Sequence, residues 1–459
     1  MTASPVPDAP VDTPPEDVRL RGLPWLVGHN ALNAVFAYLT VFGPVFLLFL
    51  DELGLPKAQI GLLLSLLPFS GLLALGSAPV ATRLGRKRVF VTCWGSRKIV
   101  AAGLLLLPWV LARWGHAGSL VYLVVVIAIF AVLRAVAETV WYPWLQEVVP
   151  DRVRGRFGAT STLVTTLVSC LTLAAAGQAL KGHHGLHVFL VLIAAGCVFG
   201  VLSVLAMLPV PGGQPQPQRD PGDQHLANMR EALRDRNFVL YLAGLGSVTV
   251  GTLLYLSFLP LFLKQALGLP SGVVVTLEAL IMVGGAVSAL LWGFAADRVG
   301  SRPVLMSAAA MTLLIPLGWL LLPRQAPHLV VWCAALYLVH GMALNGAALG
   351  AGRLLLNDVV PVRQNTAYTA LYYAWIGLVG GVAPLLAGAL LQTGGGWHVP
   401  LGWLTVDAHA VLFALAAVLI AVGWACYGRV RPDDRYRTRD VLYALSTRIL
   451  RRLPWRGPL

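Results

Sequence analysis

Few residues in this chain can do chemistry, and most of them stand alone inside long apolar runs. Arg134 and Glu138 are spaced i, i+4 within residues 119–145, so a helix there puts them on one face. Such a pair either satisfies itself and fixes packing, or supplies a carboxylate whose proton affinity answers to its surroundings, as proton coupling requires. His29, Asn30 and Asn33 fall within residues 24–50, where they would hydrogen-bond a polar ligand or join neighbouring helices. Arg97 and Lys98 lie nine and ten residues past Arg88, about 14 Å deep if a helix starts there. At that depth they favour an anionic ligand; a later helix start makes them merely interfacial. Glu278 is a second carboxylate, either a coupling group or a rim residue, and His340 is a buried histidine or a member of a proton relay with Tyr337 one turn before it. Asn345 completes the set of polar residues at mid-run positions.

The elements that must position these residues are membrane spans. The chain has 459 residues, 57% of them hydrophobic and 12% charged, with mean hydropathy +0.74, which excludes a soluble globular domain. Twelve apolar runs are long enough to cross a bilayer as helices, at about 24–50, 57–81, 89–112, 119–145, 157–180, 187–209, 238–263, 272–296, 303–323, 329–355, 367–391 and 405–428. Their continuous apolarity argues against an alternating β-barrel pattern. The expectation is an all-α polytopic membrane protein.

The net charge of +14 is explained by where it sits on that topology. With the N-terminus inside, 26 of the 34 Lys and Arg fall in cytoplasmic segments and five outside, with Arg97, Lys98 and Arg134 within helices. This asymmetry predicts both termini in the cytoplasm and excludes nucleic acid as the reason for the charge. The five Cys all fall in predicted helices without CxxC spacing and read as packing residues. The outer segment containing His183, His184 and His187 has no acidic or Cys partner, which argues against a metal site. No P-loop, nucleophile elbow or HExxH pattern is present, so neither an enzyme nor a nucleotide-driven pump is expected, and no cofactor.

Two features repeat at nearly the same offset. Gln146-Glu-Val-Val-Pro150 matches Asn357-Asp-Val-Val-Pro361 at 211 residues, and the charged turn Thr82-Arg83-Leu-Gly85-Arg86 matches Asp297-Arg298-Val-Gly300 at 215. A Pro- and Gln-rich stretch from Pro211 to Gly222 separates the copies. The chain therefore divides into a cytoplasmic tail (1–22, disordered by composition), a six-helix half (23–210), a linker with an amphipathic helix built on Leu226, Met229, Leu233 and Phe238 (211–237), a second half (238–428), and a basic amphipathic tail (429–459).

The turn Gly293-Phe-Ala-Ala-Asp297-Arg298-Val-Gly300-Ser-Arg302 resembles the G-x-x-x-D-R-x-G-[RK]-[RK] loop of the major facilitator superfamily. The first-half copy keeps Arg83, Gly85 and Arg86 but has Ala78 and Thr82 where the Gly and Asp belong. Pro150-Asp-Arg152-Val-Arg154-Gly-Arg156 also resembles the segment after that family's fourth helix. The resemblance implies twelve transmembrane helices as two six-helix pseudo-repeats and a monomeric secondary transporter of small solutes working by alternating access in the cell membrane. It further implies that the loop Asp, by pairing with neighbouring helix ends, stabilises the state closed on the inside. With Thr82 in the first copy, one of two inner latches is expected to be weak, biasing the protein toward inward-open. Proton coupling is assigned to Glu138, with Glu278 or His340 as further candidates. The buried cations point to an anionic or zwitterionic substrate. Rival readings are an uncoupled facilitator of the same fold and a transporter-like membrane sensor. The Gly-Pro pattern of the family's drug–proton antiporters is missing from Leu163–Ala176, which argues against multidrug export.

Overall fold

The computed structural model describes residues 14–73, 84–182, 185–215, 229–355, 359–360, 365–401 and 404–431. Thirteen helices and one β-hairpin carry the described chain. In the first half these are α1 (Glu16–Leu39), α2 (Pro44–Glu52), α3 (Lys57–Phe69), α4 (Arg86–Ala102), α5 (Leu107–Val148), α6 (Asp151–Ala179) and α7 (Leu186–Leu205). In the second they are α8 (Arg236–Leu256), α9 (Ser271–Val299), α10 (Ser301–Leu321), α11 (Leu329–Leu354), α12 (Asn365–Thr393) and α13 (Ala408–Tyr427). Strands β1 (His398–Leu401) and β2 (Leu404–Asp407) pair antiparallel between α12 and α13.

Ten helical stretches among the described residues are long and apolar enough to span a bilayer, but one of them, Arg86–Val148, runs for 63 residues. That is roughly three times the length one crossing needs, and the backbone reverses at Gly115, where φ is 64° and ψ −167°. The stretch is thus two spans meeting at a glycine, and the shorter apolar helix Lys57–Leu73 supplies a twelfth. The spans alternate between two ends. One, the terminal end, carries residues near 16, 86, 150, 236, 300 and 428, and the other, the far end, carries the turns near 54, 115, 182, 268, 325 and 400.

Several expected boundaries move, each for a local reason. The first helix begins at Glu16 rather than 24, with Arg19 Nε donating to the Val148 carbonyl at 3.3 Å. The first span is two helices because Gly43 takes φ 83° and Pro44 starts a new helix at N1. The seventh span ends in a π-helical turn at Phe262–Ala266. Residues 405–407 belong to β2, and the last helix starts at Ala408 with the Asp407 carboxylate capping the Ala410 N–H at 2.9 Å. Of the expected linker helix, residues 229–232 form a helical turn, Leu226 lies outside the described residues, and Phe238 is buried in α8 against Tyr368. The basic tail beyond Arg431 lies outside them as well.

Helices approach closely at glycines both within a half, as where Gly284 and Gly341 bring α9 against α11, and between the halves. Lipid tails are as apolar as Leu, so helices in a bilayer associate by close fit rather than by hydrophobic exclusion. Gly61 of α3 meets Gly388 and the Pro384 carbonyl of α12, and Gly177 of α6 meets Gly272 and Thr276 of α9. A side chain on any of these glycines would run into backbone or Thr276.

Candidate functional site

Polar side chains gather in two groups, one in each half. In the first, Asn33 of α1 accepts two hydrogen bonds on Oδ1, from Arg97 Nη2 at 3.1 Å and Lys98 Nζ at 2.6 Å. Helix α4 starts at Arg86, so both cations lie more than three turns in, and they are 2% and 1% exposed. Aromatic faces surround them: the Arg97 guanidinium lies 3.4 Å from the Trp94 ring centroid and 5.1 Å from Phe130, and Lys98 Nζ lies 3.5 Å from Phe36. Such faces attract cations electrostatically through the ring quadrupole.

Arg134 and Glu138 form the expected i, i+4 ion pair at 2.7 Å, and their side chains are 28% and 45% exposed. Arg134 also stands 5.1 Å from the Phe42 ring. The charges of both act on Arg97, so α4 and α5 present one electrostatic group. His29 lies one turn before Asn33, buried among Phe90, Trp94 and Trp141. Its Nδ1 is 2.7 Å from the Ser203 carbonyl, which can only accept, so Nδ1 carries a proton there. Asn30 donates to Ser161 Oγ at 2.9 Å and ties α1 to α6.

The second group lies on α8, α9 and α11. Glu278 sits within interaction range of Tyr337 and of Tyr38 from the first half, whereas the Tyr337 hydroxyl is buried without a hydrogen bond of ordinary geometry. His340 Nε2 lies 3.1 Å from the Tyr255 hydroxyl, and its Nδ1 has no partner among the described residues. Asn345 reaches Ser288 Oγ at 3.5 Å, the outer limit of a hydrogen bond. Tyr38 donates to Met282 Sδ at 3.2 Å, which links the two halves beside Glu278.

Around these groups the two ends of the bundle differ. At the far end the halves are joined by Lys264, whose Nζ is 2.8 Å from Asp51 and 3.7 Å from Glu52, and by Gln265, which donates to Asp51 at 2.7 Å. The Lys57 N–H donates to Gln392 at 3.0 Å, and Cys170 stands 3.7 Å from the Ala279 carbonyl. At the terminal end each described ion pair stays within one half. Arg353 pairs with Asp297 at 2.6 Å, Arg152 with Glu16 at 2.6 Å, and Arg86 with Glu147 at 3.5 Å.

The signature loops follow the same pattern. Among the described residues Asp297 pairs with Arg353 of its own half, Arg298 stacks on Phe294 at 4.2 Å, and Arg302 donates to the Gly428 carbonyl. Gly300 takes φ 87° where α9 turns into α10, and Gly85 takes φ 93° at the equivalent turn, while Gly293 has open space around it. In the first half the carboxylate is supplied by Glu147 rather than by residue 82. Glu147 also accepts from the Gly213 N–H at 2.9 Å, so the linker joins this contact. Arg83, Thr82 and Ala78 lie outside the described residues, as do His183 and His184.

Tyr38, Tyr255 and Ser203 leave no signal in the sequence, because a Tyr or Ser in an apolar run looks like ordinary packing until its neighbour is known. Asp51 and Lys264 do leave one. They stand 213 residues apart, within the band of the repeat offset, so equivalent positions of the two halves meet.

Comparison with known proteins agrees with this architecture. The family model described as Major Facilitator Superfamily matches residues 31–283 and 272–456. No curated protein matches in sequence. Among solved structures, the nucleoside transporter NupG aligns with TM-score 0.65 and 14% identity, covering 92% of this chain and 100% of that one. A D-xylose–proton symporter aligns with TM-score 0.65 and 14% identity, covering 90% and 98%. A bacterial homologue of the human lysosomal transporter Spinster, inward-facing and unoccupied, aligns with TM-score 0.58 and 17% identity, covering 91% and 95%. At these identities the structures speak for the fold, while the sequence model spans both halves of the chain. The chain belongs to the major facilitator superfamily.

Proposed function

We propose that this protein is a secondary transporter that moves a small organic solute across the cell membrane by alternating access, driven by protons. One observation carries the reading. The halves are joined at the far end by side-chain-free seams and a cross-half ion pair, while at the terminal end the described ion pairs stay inside one half. That is one of the two closures such a cycle needs. The excess of Lys and Arg at the terminal end makes it the cytoplasmic side, so this state is open inward. The substrate meets Arg134 and Glu138, whose exposed side chains face the space between the halves, since charged groups are not placed against hydrocarbon. The reading takes the solute as anionic or zwitterionic and the working unit as one chain.

Of the two membrane carboxylates, Glu138 is held by Arg134, whereas Glu278 has tyrosines around it and no cation bonded to it among the described residues. The reading assigns the coupled proton to Glu278, which sits where Tyr38 of the first half meets Met282 of the second, and leaves Glu138, bonded to Arg134, to answer to the substrate. The test is solute-driven proton movement in proteoliposomes. Glu278→Gln is expected to abolish the proton signal while leaving solute exchange, and an unchanged signal would overturn the assignment. A wild-type protein that equilibrates the solute without ever accumulating it would favour the uncoupled alternative.

A further inference from the structure

Helix α5 turns two different faces outward. Val121, Val125, Ile129 and Val132 form one, an exposed aliphatic stripe of the kind that meets lipid tails. Arg134, Glu138 and Tyr142 form the other, at i, i+4 and i+8, and Tyr142 stands roughly 100° around the helix from that stripe. Nearer the far end this second face carries Ile127 and Ala131, both buried, so it is covered there and opens toward the terminal end. Tyr142 ends the row and is 63% exposed.

A second tyrosine faces the same space from the other half. Tyr373 of α12 is 52% exposed, yet it stands on the side of its helix away from the outward-facing Leu378 and Leu386. Its own face carries Gly377 and Pro384, which pack on α3 of the first half. The exposure of Tyr373 is therefore to the space between the halves. Its ring is braced from behind: Tyr372 meets it edge-on with centroids 5.3 Å apart, Tyr372 stacks on Tyr241 at 6.4 Å, and the Tyr241 hydroxyl donates to the Ala351 carbonyl at 2.9 Å. The phenols of Tyr373 and Tyr142 are within electrostatic range of one another across the gap.

The Arg134–Glu138 pair presents one charge of each sign, 2.7 Å apart and partly exposed. A ligand with both an ammonium and a carboxylate exchanges with such a pair group for group, ammonium to Glu138 and carboxylate to Arg134. A plain anion takes Arg134 and leaves Glu138 uncompensated, which costs more the less water reaches it. One turn of helix, about 6 Å, then separates Glu138 from Tyr142. That is the span of a short linker between a charged head and a ring, and aromatic faces hold a second ring in stacked or edge-on geometry.

We propose that Tyr142 and Tyr373 form the two walls of a slot for a flat ring, and that the solute is an aromatic zwitterion whose charged head lies at Arg134 and Glu138. The inference rests on the transporter reading and narrows its solute from any anion or zwitterion to this class. The head lies deeper and the ring nearer the terminal end, because Tyr142 follows Glu138 toward that end of α5. The walls come from opposite halves, so a bound ring touches both.

The experiment measures equilibrium binding of labelled phenylalanine to the purified full-length protein, with cyclohexylalanine, phenethylamine and 3-phenylpropionate as competitors. The first keeps the zwitterion and saturates the ring; the other two keep the ring and each drop one charge. Phenylalanine is expected to bind about tenfold more tightly than cyclohexylalanine, and both singly charged compounds should bind more weakly than phenylalanine. Tyr142→Leu and Tyr373→Leu should each remove most of the preference for the flat ring and leave cyclohexylalanine binding unchanged, while Tyr142→Phe and Tyr373→Phe keep the preference. Equal binding of phenylalanine and cyclohexylalanine, or a preference that survives both Leu variants, would overturn the slot, and the first comparison needs no variant to fold. Phenylpropionate binding as tightly as phenylalanine would overturn the zwitterion, and no binding of phenylalanine would overturn the class. Proteoliposomes separate the two readings. Phenylalanine bound with this selectivity but never carried across would sink the transporter reading and leave the slot, whereas carriage of a ringless solute with no phenylalanine binding would do the reverse.

Discussion

Gly61 and Gly388 face one another across the two halves with no side chain between them, and the same meeting is made a second time by Gly272 and Gly177. The two contacts are copies: Gly272 lies 211 residues after Gly61, and Gly388 lies 211 after Gly177. The far-end closure is therefore a pseudo-twofold seam of α3 on α12 and α6 on α9. Overfilling a tight contact costs about 1–3 kcal/mol. Gly61→Leu should thus shift the population toward a state open at the far end by on the order of tenfold. The native thiol of Cys170 lies in the other seam and reports this at a distance. Its alkylation, followed by mass spectrometry of its own peptide, should accelerate. A rate equal to wild type would mean that the glycines do not form the seal.

The ion pair of Asp51 with Lys264 spans the same closure with side chains only 18% and 26% exposed. Reversing one charge, as in Lys264→Asp, should open the far end and raise Cys170 alkylation. Adding Asp51→Lys should restore most of the loss, with a coupling of about 1 kcal/mol. Equal effects of the single and double variants would show that the pair does not hold the halves.

Asp297 and Arg353 join α9 to α11 within one half, with side chains 70% and 40% exposed. An exposed pair is worth about 0–1 kcal/mol, so Asp297→Asn should leave thermal stability nearly unchanged. On the proposed cycle it acts in the state closed at the terminal end, where the halves approach. We expect Asp297→Asn to lower transport severalfold without abolishing solute binding, and undiminished transport would remove Asp297 from the gate.

Asp407 caps α13 and receives Arg324 at 2.6 Å. Burial pushes its carboxyl up, but His409, Arg324 and the Ala410 N–H outweigh that and hold it well below the usual carboxylate range. The stability it contributes is therefore present above the unfolded carboxylate value near pH 4 and lost as the pH falls below it. Asp407→Asn should cost about 2 kcal/mol at neutral pH and flatten the acid limb of the melting curve. An acid limb identical to wild type would assign that limb to other carboxylates.

The spans and the repeat were legible in the sequence because continuous apolarity and a fixed offset are one-dimensional signals. Arg134–Glu138 was legible for the same reason, since helix geometry alone pairs i with i+4. The partner of Asp297 was not, because Arg353 lies two spans further along the chain and the nearer Arg298 and Arg302 were equally plausible by charge. Nor could the sequence decide the depth of Arg97 and Lys98, which turns on a helix start at Arg86 rather than a few residues later. The break at Gly43 and the strand at 404–407 escaped because a glycine or a short β-branched run inside an apolar stretch does not interrupt its hydropathy.

The clamp on the start of the linker bears on chain connectivity. Lys87 Nζ donates to the Leu208 and Val210 carbonyls, its N–H donates to the Gly213 carbonyl, and Trp144 donates to the Pro211 carbonyl. With Glu147 holding the Gly213 N–H, residues up to about 213 are stitched to the first half as firmly as a helix cap. The first half therefore extends at least as far as Gly213. A cut or an insertion placed after Pro215 leaves every one of these bonds in place, and one placed at Gly212–Gly213 unpicks the first half itself.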